Sequence, residues 1–134
     1  MNKVLRKITI MKLYGIPNCN TVKKARDWLA AHDIAVEFHD FKKLGVSETD
    51  LTNWLKQIPQ EKLVNRAGLT WRGLDEKTKN SIIDDASAIA LMQAKTSLIK
   101  RPILVKNDVV LCTGFDENRY AEIFNTSNIE SKNV

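Results

Sequence analysis

The chain has 134 residues, 43% hydrophobic and 28% charged, enough for one domain to bury about two thirds of its unfolded surface and unlike a disordered or collagenous chain. The formal net charge is +5, but the basic residues are dispersed rather than clustered with aromatics, which argues against direct nucleic-acid binding. No apolar run approaches the ~20 residues of a membrane span, and residues 1–10 lack the apolar stretch and cleavage site of a signal peptide, so a cytoplasmic protein is expected.

Residues 1–7 read as a flexible extension. Residues 8–14 form a β-branched, apolar run closed by Gly15, Pro17 and Asn18, which predicts a buried strand and a turn. Over residues 21–32, Val22, Ala25, Trp28, Leu29 and His32 recur at spacings of three and four, with Lys23, Lys24, Arg26 and Asp27 opposite, the pattern of an amphipathic helix. Residues 35–41 alternate again as a strand, so the opening reads as a parallel βαβ unit.

A helical stretch follows. Ser47 and Asp50 are candidate caps for a helix carrying Leu51, Trp54, Leu55 and Ile58 and ended by Pro59. A short helical piece over 60–65, a turn over 75–80 and a longer helix over 84–95 complete it. Residues 103–106 and 109–112 flank Asn107-Asp108 as a hairpin, and Asp116 caps a closing helix with Tyr120, Ile123 and Phe124. Residues 126–134 are polar and read as a frayed end. The expected class is α/β: a single domain over 1–134, with thioredoxin-like halves at 8–42 and 99–125 around a helical insertion at 43–98.

Only two cysteines occur, Cys19 and Cys112, and in a reducing compartment each is weighed as a thiol. Cys19 opens the first helix within Gly15-Ile16-Pro17-Asn18-Cys19-Asn20-Thr21. There the free backbone N–H groups and the positive end of the helix dipole favour a thiolate. Lys23, one turn on, adds a cation. Ile16 removes a Cys-x-x-Cys partner, so an adduct on Cys19 would be released by an external thiol such as glutathione or by distant Cys112. Cys112 itself reads as a packed strand residue.

In Lys100-Arg101-Pro102-Ile103 the proline fixes a backbone corner, cis in a thioredoxin-like sheet and facing the nucleophile's loop, and Arg101 presents a fixed fork of donors. Arg66 and Arg72 flank Trp71 as candidates for an oxyanion or carboxylate. Asn18, Asn20 and Pro102 complete the candidate substrate-binding set. His32 and His39 lack metal-ligand spacing, and no metal site is expected.

Taken together, Tyr14 to Cys19, Val22-Lys23-Lys24-Ala25-Arg26, Trp71-Arg72 with Leu74-Asp75, and Lys100 to Ile103 resemble the arsenate reductase (ArsC-like) family. The nearest likeness is to its YffB branch, related also to the Spx regulators, over about residues 9–125. The resemblance implies a thiol mechanism in which the cysteine attacks an oxyanion or disulfide and glutathione resolves the adduct, with no tightly bound cofactor. It matches Cys19 to the nucleophile, Arg101 to the arginine before the cis proline, and Arg66, to within a residue, to an arginine of the insertion. Two positions depart from the family pattern. Gly15 stands where arsenate reductases carry a His, and no arginine stands near 112–114, where they carry a third. The expectation is a glutathione-linked thiol oxidoreductase acting on an oxyanion or disulfide. The alternative is an Spx-like regulator that binds RNA polymerase, but those sense redox through a Cys-x-x-Cys that Ile16 removes here.

Overall fold

The computed structural model describes residues 10–132. Two faces of one sheet organise it, and the period-two alternation of its central strands decides which residue serves which face. In β1 (Met11–Gly15) Leu13 points to one core and Tyr14 to the other; in β3 (Ile103–Lys106) Leu104 joins Leu13, while Ile103 and Val105 join Tyr14. The sheet order is β2-β1-β3-β4, with β2 at Glu37–Asp40 and β4 at Val109–Thr113. β1 pairs in parallel with β2 and antiparallel with β3, and β3 pairs antiparallel with β4. This is the βαβ and ββα arrangement expected from the sequence. Residues 8 and 9 of the expected first strand, and the extension before it, lie outside the described residues.

The first face is covered by α1 (Asn20–Ala31) and α8 (Glu117–Lys132), through Ala25, Trp28, Leu29 and Tyr120. The second is covered by the helical stretch between β2 and β3, where Phe41, Leu51, Trp54, Leu63, Met92 and Ile99 are buried against Tyr14 and Ile103. Burial of large apolar side chains at roughly 25 cal/mol per Å² on both faces is the main term holding the sheet between its layers.

Caps set most of the helix starts. Ser47, not Asp50, caps α3 (Glu48–Gln57): its hydroxyl accepts from Asp50 N–H at 3.0 Å. Asp75 caps α6 (Glu76–Lys79), and Asp84 with Ser87 forms a reciprocal capping box on α7 (Asp85–Ala94). Phe41 does not extend β2 as the alternation suggested. The Asp40 carboxylate accepts from Lys42 N–H at 2.8 Å and starts a one-turn helix, α2 (Phe41–Leu44), that drops Phe41 into the core. The short helix expected over 60–65 is α4 (Gln60–Leu63). Unanticipated are the single-turn α5 (Leu69–Arg72) and a 3-10 turn at Thr96–Leu98. The closing helix begins as expected, with the Asp116 carboxylate accepting from Asn118 N–H at 2.9 Å, but runs to Lys132 rather than ending near Phe124.

The β3–β4 hairpin turns through Asn107 and Asp108, both at positive φ (49° and 69°), as a tight two-residue connection requires. Helix α3 holds its tip. Asn53 and Gln57 donate their side-chain amides to the Asp108 carbonyl, each at 2.9 Å, and the Gln57 amide oxygen accepts from Val110 N–H at 2.8 Å.

Candidate active site

Gly15 ends β1 and allows α1 to approach: a Cβ built there would stand 2.8 Å from a Val22 methyl, closer than atoms pack. A larger residue at this position requires the Val22 side chain, or α1 with it, to shift. The chain then passes buried Ile16 and exposed Pro17 and Asn18 to Cys19, the N-cap of α1.

Cap residues usually offer an oxygen to the N–H groups two and three residues on; here the group in that place is a sulfur. The Cys19 side chain makes no capping hydrogen bond of ordinary geometry, yet its electrostatic surroundings favour the ionised form. Partial burial is the largest single effect and pushes the thiol up. The Val22 N–H, the Arg101 guanidinium through hydrogen bonding and charge, and the Thr21 N–H act the other way and together prevail, leaving the thiol below the ordinary cysteine value.

Arg101 precedes a cis bond to Pro102, as expected for this corner. Its guanidinium is anchored by Nη1, which donates to the Ser97 carbonyl at 2.7 Å and to that of Ile99 at 3.4 Å, while Nε is buried without a hydrogen-bond partner among the described residues. The carbonyl of buried Pro102 accepts from Gly114 N–H at 2.8 Å. Gly114 has φ +77°, and Lys100 Cε lies 3.2 Å from where its Cβ would be. A side chain at Gly114 would therefore meet both backbone strain and Lys100. Cys19, Thr21, Asn65, Lys100, Arg101, Gly114 and Phe115 line one cavity of about 300 Å³.

The structure thus brings Cys19 and Arg101 together, but not every residue the sequence nominated. Lys23 engages Cys19 through the backbone, its N–H donating to the Cys19 carbonyl at 2.9 Å, and its side chain is exposed; the cation acting on the sulfur is Arg101. Asn18 and Asn20 are exposed and do not line the cavity. Arg72 is exposed at the end of α5, also outside it. Arg66 is drawn elsewhere: Nη2 donates to Gln60 Oε1 at 2.9 Å and the guanidinium sits 5.1 Å from the Trp71 ring centroid.

The insertion's contribution to the cavity is Asn65, one residue earlier. Segment 63–65 pairs with 98–100, with Asn65 N–H donating to Leu98 at 2.7 Å, Lys100 N–H donating to Leu63 at 2.8 Å, and a bridge between Val64 and Ile99. That short ladder seats Asn65 beside the Arg101 corner. Thr21, Asn65, Lys100, Gly114 and Phe115 line the cavity without having been nominated from the sequence; the adjacency of Lys100 to Arg101 and of Thr21 to the cysteine loop was the signal for those two.

Cys112 lies in β4 opposite Leu104 and lines a different cavity with Asp116 and Arg119. Burial, the dominant effect, raises its thiol despite the opposing charge of Arg119. His32 stacks on Trp28, with Nδ1 2.8 Å from the Trp28 carbonyl, and His39 Nε2 lies 2.8 Å from the Gly45 carbonyl. A larger cavity of about 670 Å³ along α3, lined by Glu48, Asp50, Lys56 and Asp108 among others, holds no nucleophilic thiol. Among the described residues no helix is long and apolar enough to cross a membrane.

Comparison with known proteins finds relatives along most of the chain. An uncharacterized protein of Haemophilus influenzae is 41% identical over 115 residues, covering 86% of this chain and 99% of that protein. The solved structure of a YffB protein superposes with a TM-score of 0.75 at 41% identity, covering 84% of this chain and 97% of that one. The global transcriptional regulator Spx of Streptococcus mutans is a more distant relative, 25% identical over 111 residues and covering 81% of this chain and 79% of that protein. The sequence profile of the ArsC family matches residues 14–123, and the chain belongs to that family.

Proposed function

We propose that the protein is a thiol-dependent reductase in which Cys19 is the nucleophile and glutathione the co-substrate. The observation that carries this reading is the Cys19 thiol, lowered at a helix N-terminus beside the Arg101–Pro102 corner and open to one cavity. The Cys19 thiolate attacks a disulfide sulfur, or the central atom of an oxyanion, from which a protonated oxygen leaves as water. In the disulfide case a new S–S bond forms, the old one breaks, and the departing thiolate carries away the electron pair. Glutathione thiolate then attacks the substrate-derived sulfur of the adduct, forming a glutathione–substrate disulfide and releasing Cys19 as the thiolate. Arg101, which lines the same cavity, stabilises the thiolate by hydrogen bonding and charge and adds a positive charge beside the bound substrate.

The test is mass spectrometry of the protein incubated with oxidised glutathione. A glutathione adduct on Cys19 is expected; an adduct on Cys112 alone, or none, refutes the assignment. The regulator reading stands second, because Ile16, which occupies the position of a second cysteine, is only 5% exposed and packs in the core beneath the loop.

A further inference from the structure

Arg101 owes its place chiefly to the Ser97 carbonyl, which accepts from Nη1 at 2.7 Å; the Ile99 carbonyl, at 3.4 Å, is the weaker hold. The direction of that one carbonyl therefore decides where the charge beside Cys19 lies. Ser97 is the middle residue of the 3-10 turn Thr96–Leu98, a geometry whose own hydrogen bonds are poor. Leu98 and Ile99, which follow, are fully buried and fixed by packing. Ser97 is only half-buried, and its side chain is held from another element: the Thr70 hydroxyl donates to Ser97 Oγ at 3.1 Å.

Thr70 belongs to α5, a single turn too short to be stable by itself in water. The fold seats it on either side of Thr70. The Gly68 N–H just before the turn donates to the Asn65 carbonyl at 3.3 Å, and Trp71 packs against the core. Asn65 and Arg101 both line the Cys19 cavity, whereas Thr70 does not, so α5 stands behind two of the cavity's walls without entering it.

From this chain of contacts we propose that Thr70 is a positioning residue for the candidate site: its hydroxyl holds the Ser97 turn, the turn's carbonyl holds the Arg101 guanidinium, and the guanidinium is thereby kept beside Cys19. The proposal rests on the reading of Cys19 as the nucleophile and adds to it a residue that never touches substrate. Hydrogen bonds weaken steeply with distance and angle, so a small displacement of the turn is enough to be felt at the sulfur.

The test follows iodoacetamide alkylation of Cys19 against pH, in a Cys112→Ser background, for Thr70→Val, Thr70→Ser and Ser97→Ala, each alone and combined with Arg101→Ala. Thr70→Val keeps the branched shape and removes the hydroxyl; on the rising limb it should lower alkylation about twofold, the small end of what a neutral hydrogen bond is worth. Ser97→Ala removes the bond from its other side while keeping the carbonyl, and should do the same. Thr70→Ser keeps the hydroxyl and should follow the parent. Combined with Arg101→Ala, Thr70→Val should bring no further loss, because its route to the sulfur is already gone. Profiles of Thr70→Val and Ser97→Ala that coincide with the parent's overturn the proposal. So does a loss that persists in the Arg101→Ala background, which would make the bond a support of the fold alone. The nucleophile is judged on a separate readout: a parent protein that takes no glutathione adduct on Cys19 refutes that reading, while the alkylation profiles still decide the role of Thr70.

Discussion

Replacement of Arg101 by Ala removes the charge and hydrogen bonding that the guanidinium directs at Cys19. A charge-assisted hydrogen bond contributes about 1.5–3 kcal/mol, and the guanidinium is already fixed by the Ser97 and Ile99 carbonyls, so little ordering energy is spent on forming it. Cys19 is only partly buried, however, and solvent screening reduces what reaches the sulfur to about 1 kcal/mol. The thiolate loses that support, so its profile moves to higher pH. On the rising limb about fivefold less thiolate is present at a given pH. Iodoacetamide alkylation of Cys19 against pH, in a Cys112→Ser background, reads this directly, because the thiolate is the reactive form. Arg101→Lys keeps the charge without the fork and should fall between the parent and Arg101→Ala. If Arg101→Ala leaves the profile where it was, while circular dichroism shows the fold intact, Arg101 does not activate the thiol and the reasoning fails.

Gly15→Ala places a methyl 2.8 Å from Val22, and overpacking of this kind costs about 1–3 kcal/mol in a urea titration; adding Val22→Ala should recover part of the loss, and an unchanged midpoint would show that α1 moves freely. Tyr120 is fully buried with its hydroxyl unpartnered among the described residues, and burial, followed by the nearby Cys112 thiol, holds its phenol well above the usual range. Tyr120→Phe should therefore be neutral or stabilising by up to about 1 kcal/mol, and a clear loss of stability would reveal a partner for the hydroxyl. Stability should also follow the Cys19 thiol. Because its folded value is lowered, the unfolded chain binds the extra proton in the window between that value and the ordinary ~8.5. The parent should gain stability over Cys19→Ser as pH rises through that window and lose the gain as pH falls back through the folded value, and parallel stability–pH curves for the two proteins would contradict it.

Much of the architecture was legible because periodicity and cap chemistry agree. The alternation through Leu13 and Tyr14, the three-and-four spacing from Val22 to Leu29, and the hairpin around Asn107-Asp108 each correspond to the element found. Phe41 misled because an apolar residue in register with a strand looks the same when an Asp cap has already turned the chain. Helix α5 gave no signal: four residues between Gly68 and Gly73 are too few to show a period.

The site was half legible. A cysteine at a strand-to-helix turn and an arginine before a proline announce themselves locally, whereas the choice between Asn65 and Arg66 depends on a ladder to residues 98–100, more than thirty positions away. Charge also pointed the wrong way. An arginine attracts attention as an anion ligand, but Gln60 and Trp71 had first claim on this one.

The amide side chains of Asn53 and Gln57 have a consequence for association between molecules. β4 is a border strand of the sheet, and a border strand offers unmet main-chain donors and acceptors on which a foreign strand can grow. At the start of β4 those offers are already taken, since Gln57 supplies both a donor and an acceptor in the manner of one residue of a neighbouring strand. The helical stretch thus acts as a selvedge that finishes this margin and denies a stranger its first rung.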